Sequence, residues 1–147
     1  MTRAPNSDLS VFVRVSDTEE RRVELTEYDS AVRDHRFTCA SGERFGGRWK
    51  GVPVERLRID DLLPPETTHV LIESTDGFKA CADVLTALSG MFALEDEGGP
   101  LPDAPRFVAE EIDGPRTVKR VQRLAPLELA ADEAPEEFEN VSELKID

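Results

Sequence analysis

Arg36-Phe37-Thr38-Cys39-Ala40-Ser41-Gly42, followed after four residues by Gly47-Arg48-Trp49-Lys50-Gly51-Val52-Pro53-Val54, is the most informative passage of this chain. Its first half reads as a strand running into a loop at Cys39, because Ser41-Gly42 and Gly46-Gly47 are expected to break regular structure. Pro53 suits the first position of a short helix from Val54 to Leu63, which Pro64-Pro65 then stops. Cys39 closes the strand among cations, with His35, Arg36, Arg44 and Arg48 all close in sequence. Cationic neighbours lower a thiol's pKa and favour the thiolate, the form that attacks electrophiles or binds soft metals. A half-buried thiol beside unrelated arginines is the plain alternative.

Short strands flank this passage on both sides. Val11 to Val15 alternates as a strand, Arg22 to Leu25 reads as a second, and Asp17-Thr18-Glu19-Glu20 forms the turn between them. Tyr28 to Arg33 reads as a short helix or turn. His69 to Glu73 is the clearest buried strand, Asp76-Gly77 marks a turn, and Ala80 to Leu88 suits a helix ending at Gly90. Phe92-Ala93-Leu94, Arg106 to Ala109 and Thr117 to Leu124 read as further strands. The sum is six or seven short strands with two or three short helices and no βαβ alternation, which is an α+β domain. Residues 1–130 make one compact domain. Residues 131–147 are an acidic C-terminal extension, either flexible or loosely docked as a strand.

The chain has 147 residues, 39% hydrophobic and 33% charged, with 18 basic and 31 acidic side chains and a net charge of −13. That balance argues against non-specific nucleic-acid binding. No apolar run approaches the ~20 residues of a membrane-spanning helix, and the first ten residues hold no signal-peptide core. A cytoplasmic location is expected. High acidity with 14 arginines and 4 lysines fits a halophile, and also a GC-rich genome. Two segments reverse the sign. Residues 31–58 carry seven basic groups against three acidic, and residues 115–131 carry four against one. Two basic islands in an acidic chain point to a local anion site, unless their arginines simply pair with the acidic surplus.

Most common chemistries find no support. No Gly-x-Ser-x-Gly elbow, Walker loop or Gly-x-Gly-x-x-Gly fingerprint occurs. Two cysteines make no disulfide framework, and Cys81 in Ala-Cys-Ala-Asp reads as a buried thiol. His35 and Cys39 have helical spacing on a segment that reads as extended, so a zinc pair is not expected. By exclusion, Cys39 is the residue that stands out.

Five passages in order resemble the sulfite oxidase-like molybdopterin-binding oxidoreductases. Phe37 to Gly42 with Gly47 to Val54 is similar to that family's strand-end cysteine, glycine loop and Trp-x-Gly-Val-Pro segment. Leu62-Leu63 with His69 to Ile72, and then Ser74-Thr75-Asp76-Gly77-Phe78, resemble its hydrophobic strand and Ser-x-Asp-Gly-aromatic turn. Gly99-Pro100-Leu101-Pro102 with Arg106-Phe107-Val108, and Gly114 with Val118-Lys119 and Val121, resemble its closing stretches. The likeness covers residues 11–126.

The resemblance implies a molybdenum-molybdopterin cofactor, with Cys39 as thiolate ligand to the metal and as the catalytic residue. Arg44, Arg48, Arg116 and Lys119 would help bind the cofactor or an oxyanion substrate, since guanidinium forks suit phosphate oxygens. The implied activity is two-electron redox with oxygen-atom transfer on a small molecule or oxyanion, with room for a protein electron-transfer or accessory partner. The chain departs from the family pattern in three places. No Asn-His-x-x-Pro-like segment precedes Cys39, Phe78 replaces a tyrosine, and Arg120 replaces a tryptophan. A non-catalytic accessory module that binds an anion or pterin on the same fold is therefore the alternative, and a thiol-redox protein using Cys39 is a third.

Overall fold

The computed structural model describes residues 9–38, 44–109 and 117–139, of which 35–38 and 44–46 are described by backbone alone. Among the described residues ten strands form two five-stranded sheets. The first sheet has the order β2-β1-β10-β5-β6. Its strands are β1 (Ser10–Ser16), β2 (Glu19–Glu24), β5 (His69–Ser74), β6 (Lys79–Asp83) and β10 (Val121–Leu127). The second has the order β3-β4-β7-β8, with β9 also pairing to β7. It comprises β3 (Ala31–Thr38), β4 (Arg44–Pro53), β7 (Met91–Asp96), β8 (Gly99–Pro100) and β9 (Arg106–Val108). Each pairing is antiparallel except β1 with β10, which run parallel. One α-helix, α1 (Val84–Ser89), and a few 3-10 turns complete an arrangement of mixed sheets with few helices, compatible with α+β.

Burial explains why these residues choose strands. The two sheets share one core, built from Val11 and Val13 of β1, Val70 and Ile72 of β5, Trp49 and Val52 of β4, Met91 and Phe92 of β7, and Phe107 of β9. Phe92 and Phe107 meet edge to face with ring centres 6.2 Å apart, the arrangement their ring quadrupoles prefer. Leu71 points to the opposite face of β5, where a small cluster with Cys81 and Ala125 is covered by Leu127, Leu129 and Phe138. Apolar cover on both faces makes Val70-Leu71-Ile72 a continuous hydrophobic run rather than an alternating one. β2 is the charged edge of its sheet, with Glu19, Glu20, Arg21 and Arg22 all exposed, which discourages pairing with another chain.

Several elements differ from their sequence-based expectation, each for a physical reason. The Val54–Leu63 helix is instead two 3-10 turns, Val54–Leu57 and Ile59–Asp61, joined at Arg58 in the left-handed region. Val54, Leu57 and Ile59 are all buried. On a continuous helix Ile59 would stand about 200° from Leu57, so the left-handed residue re-phases the chain and brings both inward. The Ala80–Leu88 helix is half strand. Residues 79–83 pair with β5, and Asp83 caps α1 by accepting from Thr86 N at 2.8 Å. Gly46-Gly47 does not break the chain, because β3 pairs with β4 right through both glycines. Tyr28 to Arg33 straddles the end of a 3-10 turn and the start of β3.

The last strand begins at Val121, not Thr117. Residues 118–121 first bond to β9 and the segment before it, with Phe107 N to Val118 O at 2.8 Å, Arg120 N to Asp103 O at 2.9 Å and Val121 N to Pro105 O at 2.9 Å. Arg120, at φ 52°, then turns the chain into the first sheet. The C-terminal segment forms a 3-10 turn, Pro135–Phe138, against β6. The Glu139 carboxylate accepts from Cys81 N at 2.8 Å, which satisfies an edge-strand donor.

Candidate functional site

The hairpin of β3 and β4 pairs Thr38 with Arg44 at the end where residues 39–43 connect the two strands. Cys39 follows Thr38 directly in sequence. It lies outside the described residues, as does Arg116, and Arg44 is described by its backbone alone. Further along β4 the pleat turns Trp49 into the core and leaves Arg48 and Lys50 exposed. The Arg106 guanidinium lies over the Trp49 ring at 5.6 Å, donates to Thr117 Oγ1 at 2.9 Å and sits 4.0 Å from Asp103. Its Nε, and Asp103 Oδ1, are buried without a hydrogen-bond partner. Burial lowers the pKa of Arg106, and the charges of Asp103 and Asp96 work against that. The glycine of Trp-x-Gly-Val-Pro is required by close approach. A Cβ on Gly51 would stand 2.1 Å from the carbonyl oxygen of Phe92 and 2.7 Å from the Ala93 Cα. The β4–β7 register slips by one residue at this point.

A second group of motif residues meets at the other sheet. Ser74 Oγ accepts from Asp76 N at 3.3 Å and Phe78 N at 3.1 Å, and it donates to Asp76 Oδ1. That donated bond holds the Asp76 carboxyl below the usual aspartate range, helped by the Phe78 amide and by the charge of Arg120. Thr75 N donates to Arg120 O at 3.1 Å. The Ser74–Phe78 turn is thereby tied to the Lys119-Arg120 segment, which is itself tied to Asp103 and Pro105. Three passages far apart in sequence thus converge. Between them lies a cleft of about 240 Å3, lined by Ser10, Phe12, Thr75, Pro102, Ala104, Pro105, Arg120, Val121 and Gln122.

The structure sorts the two basic islands. Arg33 pairs with Glu55 at 3.4 Å, and Arg58 pairs with Asp61 at 3.0 Å. Arg56 donates to the carbonyl oxygens of Asp29 and Ser30, and Arg123 bridges Glu20 and Glu73. These four arginines are engaged by partners within the fold. Among the described residues Arg48, Lys50 and Lys119 are exposed and make no ion pair, and Arg120 is exposed beside Asp76. Arg48 and Lys50 line a shallow groove with Glu95, Asp96 and Glu97. Carboxylates outnumber cations there, so the groove is a poor anion site. Arg120 is instead the one charged residue lining the 240 Å3 cleft. Sequence reasoning counts it in the second basic island and as a departure from a family pattern, and does not choose it as a site residue. Its place in the second basic island was the available signal.

Among the described residues no group of three or more His, Cys, Asp or Glu is placed to hold a metal, and no helix is long and apolar enough to cross a membrane. Cys81 is a buried cysteine. No protein-family model and no curated protein matches the sequence. Among solved structures, the sulfane dehydrogenase SoxCD from Paracoccus pantotrophus superposes with a TM-score of 0.72 at 16% identity, over 90% of this chain and 41% of that one. The likeness is one of fold. The chain therefore spans less than half the length of the solved structure it resembles.

Proposed function

We propose that this chain is a molybdopterin-binding oxidoreductase domain of the sulfite oxidase type, with the Cys39 thiolate as a ligand to molybdenum. The observation that carries the reading is the fold shared with a sulfane dehydrogenase over 90% of the chain, together with five family-like passages in the family's order. The donor chemistry fits. A cysteine directly after β3 in sequence supplies a soft thiolate of the kind such a metal takes, and Lys119 is an exposed cation suited to a phosphate or an oxyanion. When bound, the cofactor would supply two-electron redox with oxygen-atom transfer. The chain's own contribution is to ligate through Cys39, to neutralise anionic oxygens through Lys119 with Arg44 and Arg116, and to fix the β3–β4 hairpin through Trp49 and Gly51.

The test is visible absorption after expression in a host that makes the cofactor. Wild-type protein should be coloured by a dithiolene-bound metal, and Cys39→Ser should be colourless with an unchanged circular dichroism spectrum. Equal colour in both proteins would remove Cys39 from the site.

A second reading, a non-catalytic module that binds an anion or pterin, is favoured by Phe78. This side chain packs against the core where the resembled family places a tyrosine hydroxyl. Such a module stays colourless in that host and still binds a metal-free pterin.

A further inference from the structure

We propose that the Arg120 cleft is a binding site for a small planar carboxylate. The cleft holds about 240 Å3, space for roughly eight waters at ~30 Å3 each. That falls below the ~300–1,000 Å3 of sites for drug-sized ligands, so the fitting ligand is small. More of its lining is apolar than polar, with Phe12, Pro105 and Val121 among the lining residues. The faces of a phenyl and a proline ring suit a planar body, and proline loses no side-chain entropy when covered. Few polar residues line the cleft. Besides Arg120 they are Ser10, Thr75 and Gln122, and the Thr75 and Gln122 side chains carry no side-chain hydrogen bond among the described residues. One fork-shaped cation with neighbouring neutral donors is the set a carboxylate takes.

The backbone of Arg120 supports the same reading. A non-glycine residue in the left-handed region costs about 1–2 kcal/mol, and such residues persist only where their surroundings fix them. Here both peptide groups are fixed, Arg120 N on Asp103 O and Arg120 O by Thr75 N. The residue so held belongs to the lining of the cleft, in a chain whose net charge is −13. Local positive charge in an acidic protein draws anions to that one place. The site does not rest on the molybdopterin reading and is tested on metal-free protein.

The test is titration of the full chain with benzoate, benzamide and inorganic phosphate, followed by amide chemical shifts. Benzoate should move resonances of Phe12, Thr75, Val121 and Gln122 and saturate, with benzamide and phosphate each at least tenfold weaker. Arg120→Asn removes the charge while asparagine tolerates the left-handed conformation, and it should weaken benzoate at least tenfold. Arg120→Lys, which keeps the charge and loses the fork, should bind benzoate more weakly than wild type and more tightly than Arg120→Asn. Thr75→Val, which leaves residue 120 intact, should also weaken benzoate and covers the case in which the asparagine variant misfolds. Shifts elsewhere in the molecule, equal affinity for phosphate, or unchanged benzoate affinity in Arg120→Asn would each overturn the proposal.

Discussion

Gly51→Ala is the sharpest mutation the fold offers, because the obstruction is backbone rather than a movable side chain. The added methyl carbon would stand 2.1 Å from Phe92 O, where ordinary contact begins near 3.4 Å, so β4 and β7 must separate by 3.4 − 2.1 = 1.3 Å. Ordinary overpacking costs about 1–3 kcal/mol when side chains can shift. A clash inside the β4–β7 ladder belongs at the top of that range, about 3 kcal/mol, a large share of the ~5–15 kcal/mol that holds a domain together. At roughly 3 °C per kcal/mol for a chain of this size, Tm should fall by about 9 °C. Gly98→Ala is the control, since its nearest atom is a carboxylate oxygen at 3.4 Å, and it should change stability by less than about 1 kcal/mol. Thermal and urea unfolding of both variants give the answer. A Gly51→Ala protein that melts within about 2 °C of wild type would refute the close-approach argument.

Arg123 joins Glu20 and Glu73, and its hydrogen bond is the largest cause of the lowered Glu20 pKa. A carboxylate with a depressed folded pKa contributes stability above its unfolded value, and that contribution is lost as pH falls through the folded value. For Glu20 the loss begins below its ordinary value of 4.5. Arg123→Gln should therefore lower stability at neutral pH and flatten the acid limb, as read from urea midpoints across pH. Asp83→Ala removes the α1 cap on Thr86 N and should cost about 1 kcal/mol, measured by urea unfolding. Phe138→Ala uncovers the cluster around Cys81, whose exposure is 7%. Alkylation at Cys81, followed by peptide mass spectrometry, should become faster.

Burial patterns made some elements readable from sequence and others not. β1 and β5 were legible because their apolar residues are confined to a run of the right length, flanked by turns. Residues 79–83 were not, because Lys-Ala-Cys-Ala-Asp has helix-tolerant composition and becomes a strand only by pairing with β5. Asp83 with Thr86 three residues on did carry a helix-start signal. The Val54–Leu63 helix failed on Ile59, a core residue out of phase with Leu57. The start of β10 was misplaced because Arg120 adopts a left-handed backbone that no propensity favours. At the site, Gly51 and the Ser74–Phe78 turn were legible as motifs, and their geometry gives each a physical purpose. Which arginines are engaged was not legible, since Arg33, Arg56 and Arg123 find their partners in segments distant in sequence. The cleft at Arg120 depends on three segments brought together by backbone hydrogen bonds, which no local pattern encodes.

The central claim is that Cys39 holds molybdenum on this fold. Molybdenum per chain, measured by elemental mass spectrometry on protein from a host shown to load another molybdoenzyme, tests it most directly. Metal close to one per chain, with oxidised pterin extracted from the same sample and both lost in Cys39→Ser, is the expected result. Protein free of molybdenum and pterin from that host would contradict the claim and leave an anion-binding module on a dehydrogenase-like fold.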